Sequence, residues 1–167
     1  MNWDQYFMTL TYFVAMKSKD DNTHIGAIII DQNKSIISTG YNSFPRKIND
    51  FKRERQERPE KYFWFEHAER NAIYNAGRVG IPLENCIMYT QGIPCMNCAR
   101  GIVQVGIKEV IVHKYWIESD SSEIWTDNAK KSIILFNEAN VKLRVWDGEL
   151  RQISGIRNKE ILMLNFD

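Results

Sequence analysis

The chain has 167 residues, of which 44% are hydrophobic and 26% are charged, and its formal net charge is +1. This composition is typical of a globular domain and excludes extensive disorder, and the length fits one domain. Because the charges nearly balance, the chain has no general attraction to nucleic acid or to an anionic membrane, and we expect neither as a partner.

Targeting signals and disulfides are not expected. No apolar run reaches the roughly 20 residues that span a bilayer, and residues 1–10 lack the basic and apolar regions of a signal peptide. Three cysteines are an odd number, which disfavours a disulfide framework. We therefore expect a cytoplasmic protein in a reducing compartment.

The first part of the chain predicts a helix and then a β-hairpin. Residues 3–16 carry apolar side chains at helical spacing, and Asn2 with Gln5 three residues later predicts the N-terminal cap. Residues 25–31 and 34–41 are short apolar runs separated by "DQNK", which indicates a hairpin turn.

The segment 45–65 is dense in charges of both signs and ends in aromatic residues. Mixed charges at the density found over residues 46–61 are typical of a solvated helix face with many ion pairs.

The rest of the chain alternates helices and strands. Helical patterns cover 66–77, 96–106 and 126–139, and Gly77 should terminate the first of them. Apolar runs predict strands at 86–91, 109–115 and 141–146. Strand–helix–strand order implies parallel neighbours joined by right-handed crossovers. We predict one α/β domain over 1–147, with a mixed five-stranded sheet and helices on both faces, and an unassigned tail over 148–167.

Two short motifs at predicted helix starts indicate a metal site. His67 and Glu69 belong to "HAE", and Cys95 and Cys98 belong to "PCMNC". A helix N-terminus favours thiolate over thiol. One imidazole and two thiolates make a zinc site with three protein ligands and an open fourth position, as in catalytic sites. Glu69 is close enough to reach that position as a proton shuttle.

Two other interpretations of the cysteines are weaker. A closed structural zinc site would need Cys86 as fourth ligand, but Cys86 begins an apolar strand, where cysteine is more often a small buried side chain. A thioredoxin-like redox pair would need a matching strand–helix context before the motif, early in the chain, and none is present.

H-x-E followed by P-C-x-x-C is the signature of zinc-dependent nucleobase deaminases. On these residues the chain resembles the cytidine deaminase superfamily and, within it, the deoxycytidylate (dCMP) deaminases. The stretches that carry the resemblance lie between about residue 1 and residue 147: "MNWDQYFMTLTYFVAMKSKD", "IGAIII", "GYNSFP", "HAERNAI", "PCMNCA", "GIKEVIV" and "KY". The resemblance implies a three-layer α/β/α cytidine deaminase-like fold.

The resemblance also implies the chemistry. The Zn²⁺ ligands would be His67, Cys95 and Cys98. Zinc-bound hydroxide would attack C4 of the cytosine ring, and Glu69 would protonate N3 and then the departing amine. The substrate dCMP would give dUMP, for thymidylate synthesis, and ammonia.

Substrate contacts follow from the same resemblance. Asn42 would hydrogen-bond the sugar 3′-hydroxyl, the backbone of Ala68 would meet the pyrimidine carbonyl oxygen, and Tyr115 would lie near the base. Without the resemblance, Asn42 would be interpreted as a turn residue, and Tyr115 as a core aromatic at a strand end. The candidates for binding the phosphate are Lys19, Arg46 and Lys47.

Members of this family are typically hexamers that dCTP activates and dTTP inhibits through a G-Y-N-G loop. The resemblance therefore makes Gly40, Tyr41 and Ser43 candidates for effector binding. Ser43 stands where the loop usually has glycine, which allows close backbone approach. This departure concerns the allosteric control and not the chemistry.

Three alternatives remain open from the sequence. A deaminase of tRNA adenosine shares the zinc motif, but we would expect a wider basic footprint. A deaminase of another cytosine nucleotide, such as dCTP or CMP, would differ only in its phosphate and sugar contacts. A non-catalytic zinc module that senses nucleotides would have no use for Glu69.

Overall fold

The computed structural model describes residues 1–50, 52–119, 123–152, 154–157 and 160–163. The elements in chain order are α1 (Trp3–Ala15), β1 (Gly26–Ile30), β2 (Ile36–Tyr41), a 3₁₀ turn (Arg53–Arg55), α2 (Lys61–Trp64), α3 (Ala68–Val79), β3 (Ile87–Thr90), α4 (Met96–Gln104), β4 (Glu109–His113), α5 (Lys114–Ser119), α6 (Glu123–Glu138), β5 (Lys142–Trp146), β6 (Ser154–Arg157) and β7 (Glu160–Met163).

Five strands form one mixed sheet in the order β2-β1-β3-β4-β5. Strand β1 is antiparallel to both β2 and β3, whereas β3, β4 and β5 are parallel. The predicted mixed five-stranded sheet is therefore confirmed. Strands β6 and β7 pair separately as an antiparallel hairpin within the segment that the sequence left unassigned.

Helices cover both faces of the sheet because successive strand side chains point to opposite sides. On one face, Phe7 and Met8 of α1 pack on a cluster that includes Ile28 and Tyr89. On the other face, a larger cluster joins the sheet to α3, α4 and α6. All five residues of β1 are buried, as expected of a strand that is covered on both faces.

The predicted first helix and hairpin are confirmed. The Asn2 side chain accepts a hydrogen bond from the Gln5 N–H at 2.8 Å, which caps α1 as its sequence predicts. Strands β1 and β2 pair as the predicted hairpin, and Lys34 in the connecting turn has a φ of 70°.

The prediction that Gly77 ends the third helix is wrong. Helix α3 continues to Val79, and Gly80 adopts the left-handed conformation with φ 75°. The N–H groups of Gly80 and Ile81 donate back to the carbonyls of Gly77 and Ala76. A glycine ends a helix where the backbone turns left-handed, and here that position is one turn further on.

Two predicted boundaries also move. The predicted strand 109–115 ends at His113, the last residue that pairs with β5, and Lys114 and Tyr115 begin helix α5. The predicted helix 96–106 ends at Gln104, and Gly106 has a φ of 77°.

The charged residues 46–61 do not form one continuous helix face. Within the residues described, only Arg53–Arg55 and Lys61–Trp64 are helical. Pro59 explains part of the interruption, because proline lacks the N–H that a helix interior needs. None of the helices described is both long enough and apolar enough to cross a membrane.

Candidate metal centre and active site

Three potential metal ligands converge although they lie far apart in sequence. The ring nitrogen Nδ1 of His67 is 3.5 Å from the Sγ of Cys95 and 3.5 Å from the Sγ of Cys98, and the two sulfurs are 3.6 Å apart. Both cysteines are buried. The structure thus brings together the three residues that the sequence selected as ligands.

The spacing of these three atoms fits a zinc ion. Tetrahedral zinc with Zn–S near 2.3 Å and Zn–N near 2.05 Å would hold two sulfurs about 3.8 Å apart and a sulfur and nitrogen about 3.6 Å apart. The observed distances lie within about 0.2 Å of these values. One imidazole and two thiolates are donors that zinc prefers, and three ligands leave one tetrahedral position for a substrate or water.

Two helix N-termini position the ligands. His67 is the N-cap of α3 and Cys95 is the N-cap of α4, and both have extended backbone dihedrals. Their carbonyls accept the first helical hydrogen bonds, from the N–H groups of Asn71 and Ala99. The partial positive charge at both helix starts favours thiolates at this place.

Glu69 lies beside the three ligands. Its Oε2 is 3.6 Å from the Sγ of Cys98, and its side chain is buried in the first turn of α3. Burial is the main reason that the pKa of Glu69 is raised above its usual value. A carboxyl group with a raised pKa beside an open metal position can take up a proton and release it again.

The pKa values of the two thiols are shifted in opposite directions. The hydrogen bond between the two thiols is the largest cause that lowers the pKa of Cys95, to about 3. The same hydrogen bond raises the pKa of Cys98 well above its usual value. Burial is the largest single effect and lowers the pKa of His67, but the hydrogen bond to Cys95 and the negative charges of Glu69 and Cys95 together outweigh it, so the net direction is upward. Zinc binds cysteine as thiolate, so a proton on either sulfur is released when the metal binds.

Arg70 also lies beside the site, although no sequence motif indicated it. Its Nη1 lies 3.7 Å from the Sγ of Cys98, and its Nε donates to Oε2 of Glu66 at 2.6 Å. Glu66 is itself held by backbone hydrogen bonds to Ser43. The position of Arg70 directly after "HAE" was the available signal, but only the fold shows which atom it approaches.

Cys86 is not a fourth ligand. It packs in the apolar cluster on the α3 and α4 side of the sheet. Cys86 precedes β3 and Cys95 follows it, so a four-residue strand of about 13 Å separates them. Among the residues described, no other group of His, Cys, Asp or Glu forms a possible metal cluster. The closed-site interpretation is therefore excluded.

Asn42 is buried at the end of β2, near the metal centre. Its neighbour Ser43 pairs with Glu66, the residue before His67, through N–H···O bonds of 3.0 and 2.9 Å. The Asn42 amide is hydrogen-bonded to Asp20, Thr23 and Ile25. Asp20 was not among the residues selected from sequence, although it belongs to the quoted "SKD" turn.

Four further candidates from the sequence lie on β2, α3 and α5. Ala68 is fully buried in the first turn of α3, and an added Cβ at Gly40 would lie 2.3 Å from its carbonyl oxygen. Gly40 therefore permits close packing of β2 on α3. Tyr41 accepts a hydrogen bond from Asn71 through its carbonyl. Tyr115 is 72% exposed on α5, with its ring 6.0 Å from the buried ring of His113.

The three candidates for binding the phosphate have different surroundings. Lys19 forms an ion pair with Asp50 at 3.5 Å and lines a cleft of about 520 Å³ that Arg53 also lines. Arg46 donates to Asn75 on α3, and Lys47 is exposed with a φ of 70°.

Comparison with known proteins agrees with this geometry. Residues 1–114 match the family model described as the cytidine and deoxycytidylate deaminase zinc-binding region. A human deoxycytidylate deaminase is 36% identical over 151 residues, which cover 86% of this chain and 79% of that protein. A probable deoxycytidylate deaminase of Drosophila melanogaster is 39% identical over 121 residues, 66% of this chain and 59% of that protein.

A solved structure shares the fold. The dCMP deaminase of the cyanophage S-TIM5, in complex with dCMP and dUMP, superposes with a TM-score of 0.68 at 19% identity, covering 86% of this chain and 96% of that one. The three-ligand geometry and the family match assign zinc as the metal of the site. The chain belongs to the cytidine and deoxycytidylate deaminase family, whose zinc-binding region includes His67, Cys95 and Cys98 here.

Proposed function

We propose that the protein deaminates dCMP to dUMP, with water as co-substrate and ammonia as the second product. The observation that carries this proposal is the buried Glu69 carboxylate beside a three-ligand zinc centre. The human relative is named deoxycytidylate deaminase, and the match covers 79% of its length at 36% identity. This similarity supports dCMP as the nucleotide.

The metal ligands and Glu69 have separate roles in this reaction. Zn²⁺ held by the His67, Cys95 and Cys98 side chains would supply a water of lowered pKa as nucleophile. Glu69 would take one proton from the attacking water and deliver it to N3 of the cytosine ring, and would then carry the second proton of that water to the amine, which leaves as ammonia. The buried position of Glu69 excludes bulk water from the proton path.

The proposal assigns the substrate contacts by the resemblance. The backbone of Ala68, in the first turn of α3, meets the pyrimidine carbonyl oxygen, and helix starts carry unpaired N–H groups. Asn42 binds the sugar hydroxyl, and Tyr115 lies at the base. Lys19, Arg46 and Lys47 are the residues proposed for the phosphate.

The proposal includes the assembly and its control. We assign the deaminase unit to 1–147, and we expect a hexamer in the cytoplasm that dCTP activates and dTTP inhibits. The effector loop would contain Gly40, Tyr41 and Ser43. Light scattering tests the assembly, since a hexamer would have about 118 kDa, six times the 19.7 kDa of one chain.

Ammonia release from the zinc-loaded protein tests the reaction. The substrates are dCMP, CMP, dCTP, deoxycytidine and a tRNA, each with and without added dCTP. We expect turnover of dCMP above all others. Turnover of the tRNA alone would assign the site to a polymer-acting deaminase instead.

The variant Glu69→Gln tests the mechanism. It keeps the shape of the side chain but removes the proton shuttle, so we expect a loss of kcat of about 10²–10⁴-fold with zinc still bound at one ion per chain. Metal analysis and ammonia release are measured on the same sample. Activity that survives in this variant would contradict the role of Glu69.

A further inference from the structure

The sequence contains one aspartate that is followed by glycine, in the pair Asp147–Gly148, and no asparagine that is followed by glycine. The pair comes directly after β5, and residues 147–150 have no regular secondary structure. The Asp147 side chain is 71% exposed. Among the described residues, no backbone carbonyl accepts a hydrogen bond from the Gly148 N–H. The amide nitrogen that follows Asp147 therefore has no competing backbone partner there.

An aspartate next to such an amide nitrogen can isomerise. The Gly148 nitrogen attacks Cγ of the Asp147 carboxyl group, and the amide proton and the carboxyl hydroxyl leave as water, which closes a five-membered succinimide ring. Water then opens the ring. Cleavage between the nitrogen and Cγ restores aspartate, and cleavage between the nitrogen and the backbone carbonyl carbon gives isoaspartate. Glycine favours the first step because it has no Cβ that hinders its nitrogen.

Two contacts explain why the pair is present and what slows its reaction. An added Cβ at Gly148 would lie 2.3 Å from Cζ2 of Trp146, so packing on the indole requires the glycine that makes Asp147 reactive. Nζ of Lys114 binds the Asp147 carboxylate at 2.7 Å. A carboxyl group held by an ammonium group must leave it before Gly148 can attack. The ion pair therefore slows the reaction.

The isomer does not fit the backbone of the structure. Isoaspartate leads the chain through Cβ and Cγ, which inserts one atom between the Cα of Asp147 and the nitrogen of Gly148. Before this point, Trp146 pairs with His113 at the end of a ladder of five residue pairs. After it, the Gly148 carbonyl accepts a hydrogen bond from Nε2 of His113 at 3.0 Å. Because the ladder is the more extensive contact, the single bond to the Gly148 carbonyl breaks.

The chain beyond this bond is tied to helix α1. We call residues 147–151 the strap. The Glu149 carbonyl accepts a hydrogen bond from Nε2 of Gln5 at 3.0 Å, and the Arg151 N–H donates to Oγ1 of Thr9 at 2.9 Å. A displacement of the strap therefore also disturbs its contacts with α1.

We propose that Asp147–Gly148 is a modification site at which a succinimide forms and isoaspartate accumulates. Lys114 slows the modification, and the modification releases the strap from His113. The inference does not depend on the proposed deamination. The step needs only water, and it leaves the mass and the net charge of the chain unchanged, because one carboxylate replaces another.

The first test follows isoaspartate in the zinc-loaded, full-length protein during incubation at pH 7 and 37 °C. Electron-transfer mass spectrometry of the digested protein distinguishes isoaspartate from aspartate. Asp127 is the internal control, because it is 64% exposed and pairs with Lys131 at 2.7 Å but lies within α6 and precedes Asn128. We expect about 10-fold more isoaspartate at Asp147 than at Asp127, since only Asp147 precedes glycine outside regular structure. Equal amounts at the two positions would overturn the proposal.

Two variants of exposed residues separate the parts of the proposal. Asp147→Glu keeps the charge beside Lys114 but would have to close a six-membered ring, so we expect an isoaspartyl methyltransferase to label the aged variant less than the aged wild type. Lys114→Met should accelerate the modification about 2-fold, because an exposed ion pair is weak. Equal labelling of aged Asp147→Glu and aged wild type would overturn the assignment to Asp147. An unchanged rate in Lys114→Met would overturn the role of Lys114.

The effect on the strap is measured on the isomer itself. The isoaspartate form is separated from the unmodified protein by chromatography, and the two are compared by calorimetry. Loss of the hydrogen bond to His113 should lower Tm by about 2–4 °C. An unchanged Tm would show that the strap accommodates the added atom and would overturn its release.

Discussion

At the scale of single residues, Arg70 contacts the metal centre although it is neither one of its ligands nor the acid–base residue Glu69. Its guanidinium approaches the Cys98 sulfur and is anchored by Glu66. The side chain is only 18% exposed, so solvent screens this contact weakly. A donor to a ligating sulfur stabilises the thiolate form that metal binding requires.

Replacement of this residue should weaken zinc binding. We expect Arg70→Leu to lower the zinc affinity about 10–100-fold, the usual effect of removing a residue that orients a metal ligand. Chelator competition at fixed pH measures the affinity, and the thiolate-to-metal absorption band of the Co²⁺-loaded protein should shift as well.

Arg100→Leu is the matched control for Arg70. Arg100 lies two residues after Cys98 on α4, is exposed, and bonds to Asn97 rather than to a sulfur. The variant Arg100→Leu removes the same charge from the same region but no contact to a sulfur. We therefore expect its zinc affinity to stay within about 2-fold of wild type. Equal affinities in both variants would show that the Arg70 contact does not support the metal.

At the scale of secondary-structure elements, Asp4 joins three of them. On α1, it accepts two hydrogen bonds from Arg144 of β5, at 2.7 and 2.8 Å, and one from the Tyr89 hydroxyl of β3, at 2.7 Å. The hydrogen bonds from Arg144 are the largest cause that lowers the pKa of Asp4 below its usual 3.8.

This lowered pKa gives the contact a pH dependence. The stabilisation is present above the unfolded-state pKa of 3.8 and is lost as pH falls through the lower folded-state pKa. We expect Asp4→Asn to lower the free energy of unfolding by about 1 kcal/mol at pH 7, discounted for partial exposure, and by less at pH 3.

Urea unfolding of both proteins at pH 7, 4.5 and 3 measures this difference. Asp127→Asn is the control, because its ion pair with Lys131 is exposed on both sides and should contribute less than about 0.5 kcal/mol. A difference for Asp4→Asn that stays constant down to pH 3 would contradict the assignment.

Sequence periodicity predicted the elements well, because helix and strand spacing reflect which side chains meet the core. It predicted the α1 cap at Asn2, since capping depends on residues three apart. It misplaced the end of α3, because two glycines three residues apart each fit a helix end. Only the packed backbone selects Gly80 over Gly77.

The site was predictable to the extent that its chemistry lies in short motifs. "HAE" and "PCMNC" gave the metal ligands and Glu69, since each motif sits at one helix start. The contacts of Arg70 with Cys98 and of Asp20 with Asn42 span 28 and 22 residues. Such contacts depend on how the loops fold back, which no local pattern encodes.

At the scale of the whole molecule, the sheet topology creates the metal site. Strands β2 and β3 are both antiparallel to β1, so they run in the same direction and end at the same edge of the sheet. The chain leaves β2 toward His67 and β3 toward Cys95. Zinc therefore crosslinks two helix starts that are 28 residues apart.

This crosslink predicts that zinc stabilises the whole fold. A ligand that binds only the folded state at 1,000 times its Kd adds about 4.1 kcal/mol. In a chain of this size each kcal/mol shifts Tm by about 2–4 °C, so removal of zinc by a chelator should lower Tm by about 8–16 °C. Calorimetry with and without chelator measures the shift.

Cys98→Ser should lose the response to zinc, whereas Cys86→Ser, which removes a packed thiol outside the site, should keep it. An unchanged Tm in the wild-type protein after zinc removal, confirmed by metal analysis, would show that the helix starts are held together without the metal.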